Sequence, residues 1–382
     1  GEGDGGGEGG GGGAGGDDIT QGDDITQHET EAVEESAPKK KAPPPPPKNK
    51  LCKLTHLDLA GCGMGRRDRY ALLALCLEAC PRLNHLDLSS NDLGAESCNA
   101  LLSALLRNHK HRLEVLRLAG NSIGGGGVGG PGVIASFIEF GTRSAKNAES
   151  GGGKDGGGMQ PRVTPLRRLD LRANSLGDGG ARTIMMGLHA SAITHLYLSE
   201  NSIGDSAVPH IVEALGKMRQ IETLDLSYND IGPQGGNLLA VCLSNKHPTL
   251  GRLDLSWNKL GTKGAVAFAV CLRKGTGALG ELNLGSNDIG DVGGGALAAA
   301  VSDAARGGLR ILRIDNNVFT SAVGRALLRA AAQASESVGG RFRLGRLGSH
   351  GLEKYDPARN PADDDDTDAV LKGGKAISAG LL

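Results

Sequence analysis

Two groups of side chains in this sequence have the types and the spacing to do chemistry. His56 and His85 each stand two residues before an aspartate, Asp58 and Asp87, in identical His-Leu-Asp-Leu segments. Laid side by side as strands about 4.8 Å apart, two imidazoles and two carboxylates would converge as in a zinc site. Neither segment brings residues that would enclose a pocket, so a solvated strand surface is the stronger reading and no metal is expected. The second group is Tyr197, Tyr228 and Trp257, beside Glu200, Asp225 and Asp254. The chain has four Tyr and one Trp, so these are three of its five. Aromatics flanked by carboxylates are the composition of a protein-binding hot spot. The competing reading is that the aspartates belong to a repeated Leu-Asp-Leu pattern and that the rings pack on one another.

Other chemistry finds no residues to carry it. The sequence holds no HExxH and no GxSxG. Its glycine runs at 124–132 and 151–158 do not end in Gly-Lys-Ser/Thr, so neither is a phosphate loop. Cys76 and Cys80 stand one helical turn apart, too few ligands for zinc. No catalytic residue and no cofactor are expected, and the chain reads as non-enzymatic.

The element that positions the second group is Leu250 to Leu272, LGRLDLSWNKLGTKGAVAFAVCL. Its first half alternates, which predicts a short strand with Leu253 and Leu255 inward and Arg252, Asp254 and Ser256 outward. Ala265, Phe268, Ala269 and Leu272 then recur at helical spacing. One such unit has an apolar face with nothing to cover it, so it needs copies. Aligned on the asparagine of Leu-x-x-Asn-x-Leu, copies fall at Cys62, Asn91, Asn121, Asn174, Asn201, Asn229, Asn258, Asn287 and Asn317, at steps of 29, 30, 53, 27, 28, 29, 29 and 30 residues. The helical position of Phe268 is matched by Leu72, Leu101, Ile184, Ile211, Leu239, Leu297 and Leu327.

Agreement in both halves of nine units resembles the leucine-rich-repeat family, in its long α/β, ribonuclease-inhibitor-like form with units of about 28–29 residues. The resemblance covers residues 51–347. It implies an α/β solenoid, a horseshoe with a parallel sheet on the concave wall and helices on the convex one, nine repeats and a degenerate tenth. The asparagine leaves the strand where backbone groups would be unpaired, and its amide can serve them from unit to unit. The glycine of Asn-x-Leu/Ile-Gly is expected in a conformation that a Cβ would penalise. At the end of the array, Phe342 and Leu344 follow Leu312 and Ile314 by 30 residues, so a last strand is expected at Arg341 to Arg343.

The 53-residue step holds one enlarged repeat. Pro131 opens a displaced helix carrying Val133, Ile134, Phe137 and Ile138, and residues 144–161 read as a flexible insertion. Residues 1–50 carry eleven acids before residue 36, GDDITQ twice, Lys39 to Lys41 and five consecutive prolines. Such a segment cannot offset its ordering entropy and reads as a tail ending in a polyproline spacer. An SH3- or WW-type ligand is the alternative. Residues 348–382, with Asp363 to Asp366, read as a second tail. Repeat 1 starts abruptly at Leu51, so either residues ahead of it cap the core or that repeat frays.

With 42 basic and 43 acidic residues, global charge points to neither nucleic acid nor an anionic membrane. No apolar run is long enough to span a bilayer. No signal peptide is visible, though the chain begins at Gly1 rather than Met. Seven cysteines without a CxxC pair are expected as thiols in a reducing, cytoplasmic setting, with Cys242 and Cys271 at matching core positions. The resemblance implies a monomeric interaction scaffold whose partner is another protein, held on the strand face at Tyr197, Glu200, Asp225, Tyr228, Asp254 and Trp257. It also leaves two alternatives: activation of a Ran-like small GTPase at the nuclear periphery, or a subunit of a cytoskeletal or ciliary assembly.

Overall fold

In the computed structural model the described residues are 53–108, 112–126, 129–149, 166–189 and 191–345. The expected tails, Leu347 and the insertion beyond Glu149 lie outside them. Ten short strands follow the repeat: β1 His56–Asp58, β2 His85–Asp87, β3 Val115–Arg117, β4 Arg168–Asp170, β5 His195–Tyr197, β6 Thr223–Asp225, β7 Arg252–Asp254, β8 Glu281–Asn283, β9 Ile311–Arg313 and β10 Arg343–Leu344. They form one parallel sheet in strictly sequential order. Helices return between them: α1 Arg67–Glu78, α2 Gly94–Arg107, α3 Gly129–Glu149, α4 Gly177–Gly187, α5 Val208–Lys217, α6 Pro233–Ser244, α7 Gly261–Lys274, α8 Asp291–Arg306 and α9 Ser321–Ser337. A β-strand that returns through a helix to a parallel neighbour is the repeat unit of an α/β solenoid, and that is the fold.

Register is residue to residue, with Leu224 on Leu253 and Asp225 on Asp254. The inward leucines of each strand and Phe268 or its equivalents fill one continuous core. Burying each of those leucines contributes about 1.5–3 kcal/mol.

The asparagine column is the ladder that the periodicity implies. Asn201 Oδ1 accepts the Asn174 N–H at 3.0 Å, and Asn229 Oδ1 accepts those of Asn201 at 3.1 Å and Ile203 at 3.0 Å. The Asn229 amide nitrogen donates to the carbonyls of Leu198, Leu226 and Ser227 at 2.9–3.0 Å.

The glycine expectation holds at only part of its positions. Gly94, Gly177 and Gly261 have φ near +60°, whereas Gly124, Gly204, Gly232 and Gly290 do not. At Gly204, Gly232 and Gly290 the difference goes with how one backbone N–H is satisfied, whereas Gly124 keeps the bond to the Asn174 carbonyl at 2.9 Å without a positive φ. At Gly94, Gly177 and Gly261 that N–H donates to the carbonyl of the next repeat's asparagine at 2.8–2.9 Å. At Gly204, Gly232 and Gly290 it turns back to a side chain of the preceding repeat: Asp178 at 2.6 Å, Asp205 at 2.7 Å or Thr262 at 3.2 Å. Asp205 also accepts the Gly235 N–H at 2.9 Å, so it caps α6 from the neighbouring repeat. Asp205→Ala is expected to cost about 1 kcal/mol in urea unfolding, and Asp205→Asn much less. Equal losses would show that the cap is not what stabilises this junction.

Four further expectations need correction. Leu72 is 66% exposed, because the buried set of α1 is one residue out of step: Tyr70, Leu73, Ala74 and Leu77 take the places of Cys98, Leu101, Leu102 and Leu105 of α2. Helix α1 ends at Glu78, so Cys80 lies beyond it in the following turn rather than one helical turn above Cys76. Helix α3 continues to Glu149, past the point at which the insertion was expected to leave it. The last strand is shifted by two residues, pairing Leu344 with Leu312, and Phe342 fills the core ahead of it. No disulfide joins the described cysteines, with Cys271 buried and Cys242 half-buried.

Candidate functional site on the strand face

The strand face is built from three columns. The central residue between the inward leucines is Asp225 on β6 and Asp254 on β7; two residues on come Ser227 and Ser256; the next column holds Tyr228 and Trp257. Every residue of that last column has positive φ: Gly61, Ser90, Gly120, Ala173, Glu200, Tyr228, Trp257, Ser286 and Asn316, from 51° to 66°. The chain must reverse there to send the asparagine inward. A Cβ in this region costs about 1–2 kcal/mol, less for Asn or Asp, and glycine, without one, escapes it. Seven repeats use Gly, Ala, Ser, Glu or Asn, while repeats 6 and 7 place a Tyr and a Trp.

Those two rings stack, with centroids 5.0 Å apart and planes at 10°. Trp257 remains 44% exposed. Tyr197, expected to be exposed, is half-buried and does not join them. It stands in the central column, and the guanidinium of Arg172 sits 5.7 Å from its ring centre. Burial is the main cause that raises its phenol above the usual value. Glu200 is exposed and lines, with Ser202, Tyr228 and Asp230, an open cleft of about 310 Å³.

The carboxylates divide into two kinds. Asp87 meets Arg117 at 3.3 Å, Asp170 meets Arg172 at 2.6 Å, and Glu281 lies 3.7 Å from both Arg252 and Arg313. Asp225 and Asp254 have no cation within 4 Å among the described residues. They face each other across adjacent strands and are stabilised by hydrogen bonds instead. Asp225 Oδ1 accepts the Ser227 N–H at 2.9 Å and its hydroxyl at 2.7 Å, and Asp254 is served alike by Ser256. Asp254 Oδ2 also accepts from the Asn283 amide at 2.9 Å. Burial first, and then the Asp254 charge, push the Asp225 carboxyl up to about 6, against the pull of the Ser227 bonds and Arg172.

A carboxyl raised in the folded state favours folding while protonated. That contribution is complete below 3.8, the unfolded value, and is lost as pH climbs through about 6. Asp225→Asn should therefore raise stability by about 1 kcal/mol at pH 7.5 and leave it unchanged near pH 4. Asn283 shows that the column accepts an amide, since its Oδ1 takes the Gly285 N–H at 3.1 Å. Denaturant unfolding of the variant at the two pH values checks this, and a loss at neutral pH would contradict it.

The histidine group does not become a metal centre. His56 and His85 are in register, but their rings stack, 5.5 Å between centres at 25°, rather than converging on a point. Burial and Arg117 lower the His85 value. No cluster of three His, Cys, Asp or Glu able to hold a metal occurs among the described residues, and no helix there is long and apolar enough to cross a membrane.

Sequence reasoning passed over Arg172 and the two serines. Arg172 was legible as the one basic residue in a column otherwise of Ala, Ser, Gly and Asp. The serines had no such signal, since their role depends on the aspartate two residues earlier. The positive-φ column was foreshadowed by Gly61, Gly120 and Asn316.

Comparison with known proteins agrees with this architecture. A Leucine Rich repeat family model matches residues 50–73, 79–102, 164–185, 218–240, 246–269 and 279–298. Pig (Sus scrofa) ribonuclease inhibitor is 28% identical over 225 residues, 50% of this chain and 49% of that protein. Mouse (Mus musculus) Protein NLRC5 is 30% identical over 161 residues, 42% of this chain and 7% of its own length. Human (Homo sapiens) NACHT, LRR and PYD domains-containing protein 12 is 27% identical over 181 residues, 44% of this chain and 16% of its own length. The chain thus spans about half or less of the curated relatives it matches. With six family matches falling on its strand–helix units and asparagine side chains bridging successive repeats from Asn91 to Asn317, the chain is built of leucine-rich repeats and is similar to the family's ribonuclease-inhibitor-like form.

Proposed function

We propose that this protein is a non-catalytic interaction scaffold that holds a protein partner on the strand face of repeats 5 to 7. The observation that carries the reading is the Tyr228–Trp257 stack, two large rings at backbone positions that other repeats give to small or flexible residues. Bulky side chains in a strained conformation are retained where they do something other than fold the chain. Exposed aromatics beside carboxylates supply contact area at low entropic cost, which is what an interface anchor needs. Asp225, Asp254 and Glu200 give the face its charge, and the partner presents basic or mixed apolar–basic surface to it.

The test is paired capture with the full chain and with Trp257→Asn and Tyr228→Ser, which restore residue types found in this column at Asn316 and Ser90. The partner is the protein retained by the wild-type chain and lost by both variants while their melting temperatures stay put. A protein captured equally by all three would place the interface elsewhere.

A further inference from the structure

Arginine matches the buried and half-buried carboxylates of this sheet except at repeats 6 and 7. Among residues within the strands, Asp87, Asp170 and Glu281 are buried or half-buried and each has an arginine within 4 Å. Asp225 and Asp254 are the half-buried pair without one, aligned on neighbouring strands. The second oxygen of Asp225 accepts no hydrogen bond from a described residue, so one strong acceptor is left over. One strand away, the Ser199 hydroxyl, in the column of Ser227 and Ser256, is 1% exposed and has no partner, because Tyr197 stands where an aspartate would accept it. The polar network of the face is therefore incomplete here. Three residues after each aspartate, on the same two repeats, stand Tyr228 and Trp257.

We propose that the Asp225–Asp254 pair and the Tyr228–Trp257 stack form one slot for an arginine of the partner, its stem along the rings and its guanidinium on the carboxylates. This rests on the strand face being the docking face. An arginine fits better than a lysine because its planar head presents several N–H groups in a fixed fork, meeting two carboxylates at once, and is weakly hydrated against aromatic faces. Three residues of chain span at most about 10 Å, within reach of a side chain that begins over the stack. The slot supplies the cation that Asp87, Asp170 and Glu281 find within the chain.

Occupation of the slot is linked to protons. The pair holds a proton below about pH 6, which a cation must displace. The groups around it are Arg172 and Asp170 toward β4, His195 and Tyr197 on β5, Glu222 before β6, Arg252 on β7, Glu281 and Asn283 on β8, and Arg313 on β9. Burial and Arg168 hold the His195 imidazole below its ordinary value.

Trp257 is the only tryptophan in the chain, so its fluorescence reports on the slot directly. Hexa-arginine peptide titrated into the full chain at pH 7.5 should change that emission saturably, and hexa-lysine should bind several-fold more weakly. At pH 5.0 the affinity for hexa-arginine should fall about tenfold, following the ionised fraction of a group at about 6. Asp225→Asn with Asp254→Asn should lose most of the binding and all of that pH dependence, with a melting temperature at pH 7.5 no lower than wild type. No saturable change, or unchanged binding by the double variant, overturns the slot. If Trp257→Asn loses the captured partner while the double aspartate variant keeps full affinity for it, the docking face stands and the slot is overturned.

Discussion

Asn229→Ala is expected to destabilise the chain by about 3 kcal/mol, the largest stability loss of any single substitution argued for this fold. The side chain is 6% exposed and serves five groups. It accepts the N–H groups of Asn201 and Ile203 and donates to the carbonyls of Leu198, Leu226 and Ser227. Each lost bond is worth about 0.5–1.5 kcal/mol, and each buried donor left unmet costs about 1–3. Ala also leaves too small a space for water to reach all five. Lys259→Ala, by contrast, gives up one exposed ion pair with Asp230 at 2.5 Å, which is worth well under about 1 kcal/mol. Urea unfolding of the two variants side by side decides the matter. A similar midpoint for both would mean that the asparagine column is consensus without energetic weight.

The same ladder explains why the fold was legible before any coordinates. A residue whose place is fixed by backbone groups in the neighbouring repeat has to recur at the repeat length, so the asparagine positions alone set the strand order and the register. The inward leucines add the burial pattern, because a two-residue period places Leu253 and Leu255 on one side whatever their neighbours do. Repeat boundaries were less legible at the two ends of the array. Leu72 matches Phe268 in spacing yet faces outward, since the turn before α1 is one residue longer in effect and Leu73 takes the core position instead. Phe342 matches Leu312 in spacing, yet the last strand slides by two residues, so that Leu344 pairs with Leu312 and Phe342 fills the core ahead of it.

The candidate site was legible as a composition and not as an arrangement. Tyr197, Tyr228 and Trp257 stand out by scarcity, but their columns decide what they do. Tyr197 sits between the leucines and is claimed by Arg172, while Tyr228 and Trp257 sit at the reversal of the chain and stack. A one-letter spacing shows which residues share a strand face. It does not show that the position before each asparagine is left-handed, since Ser, Ala and Glu at that position give no warning. Nor does it show that Asp225 and Asp254 lack the arginine that Asp170 has, because Arg172 reaches its partner two residues back along the same chain. The alternative reading, rings packing on one another, is half true. The two rings do pack together, and Trp257 still leaves 44% of itself outside the stack.

Trp257→Asn is expected to weaken partner binding by at least about thirtyfold, or roughly 2 kcal/mol, without lowering the melting temperature. The stability side of this expectation comes from two opposed terms. Losing the stack with Tyr228 gives up about 0.5–1.5 kcal/mol. Placing Asn at φ 53° in place of Trp recovers part of the roughly 1–2 kcal/mol that a bulky residue forfeits in the left-handed region. The terms are of similar size, so the net change should lie within about 0.5 kcal/mol, the range of an ordinary surface substitution. Repeat 9 carries the exchange naturally, with Asn316 at φ 53° donating to Ser286 Oγ at 2.8 Å. If the ring served only to pack, removing it would lower the melting temperature and leave binding alone, the opposite pattern. Calorimetric titration of the captured partner against both chains, with thermal melts of each, separates the two. Full affinity in the variant would remove repeats 6 and 7 from the interface.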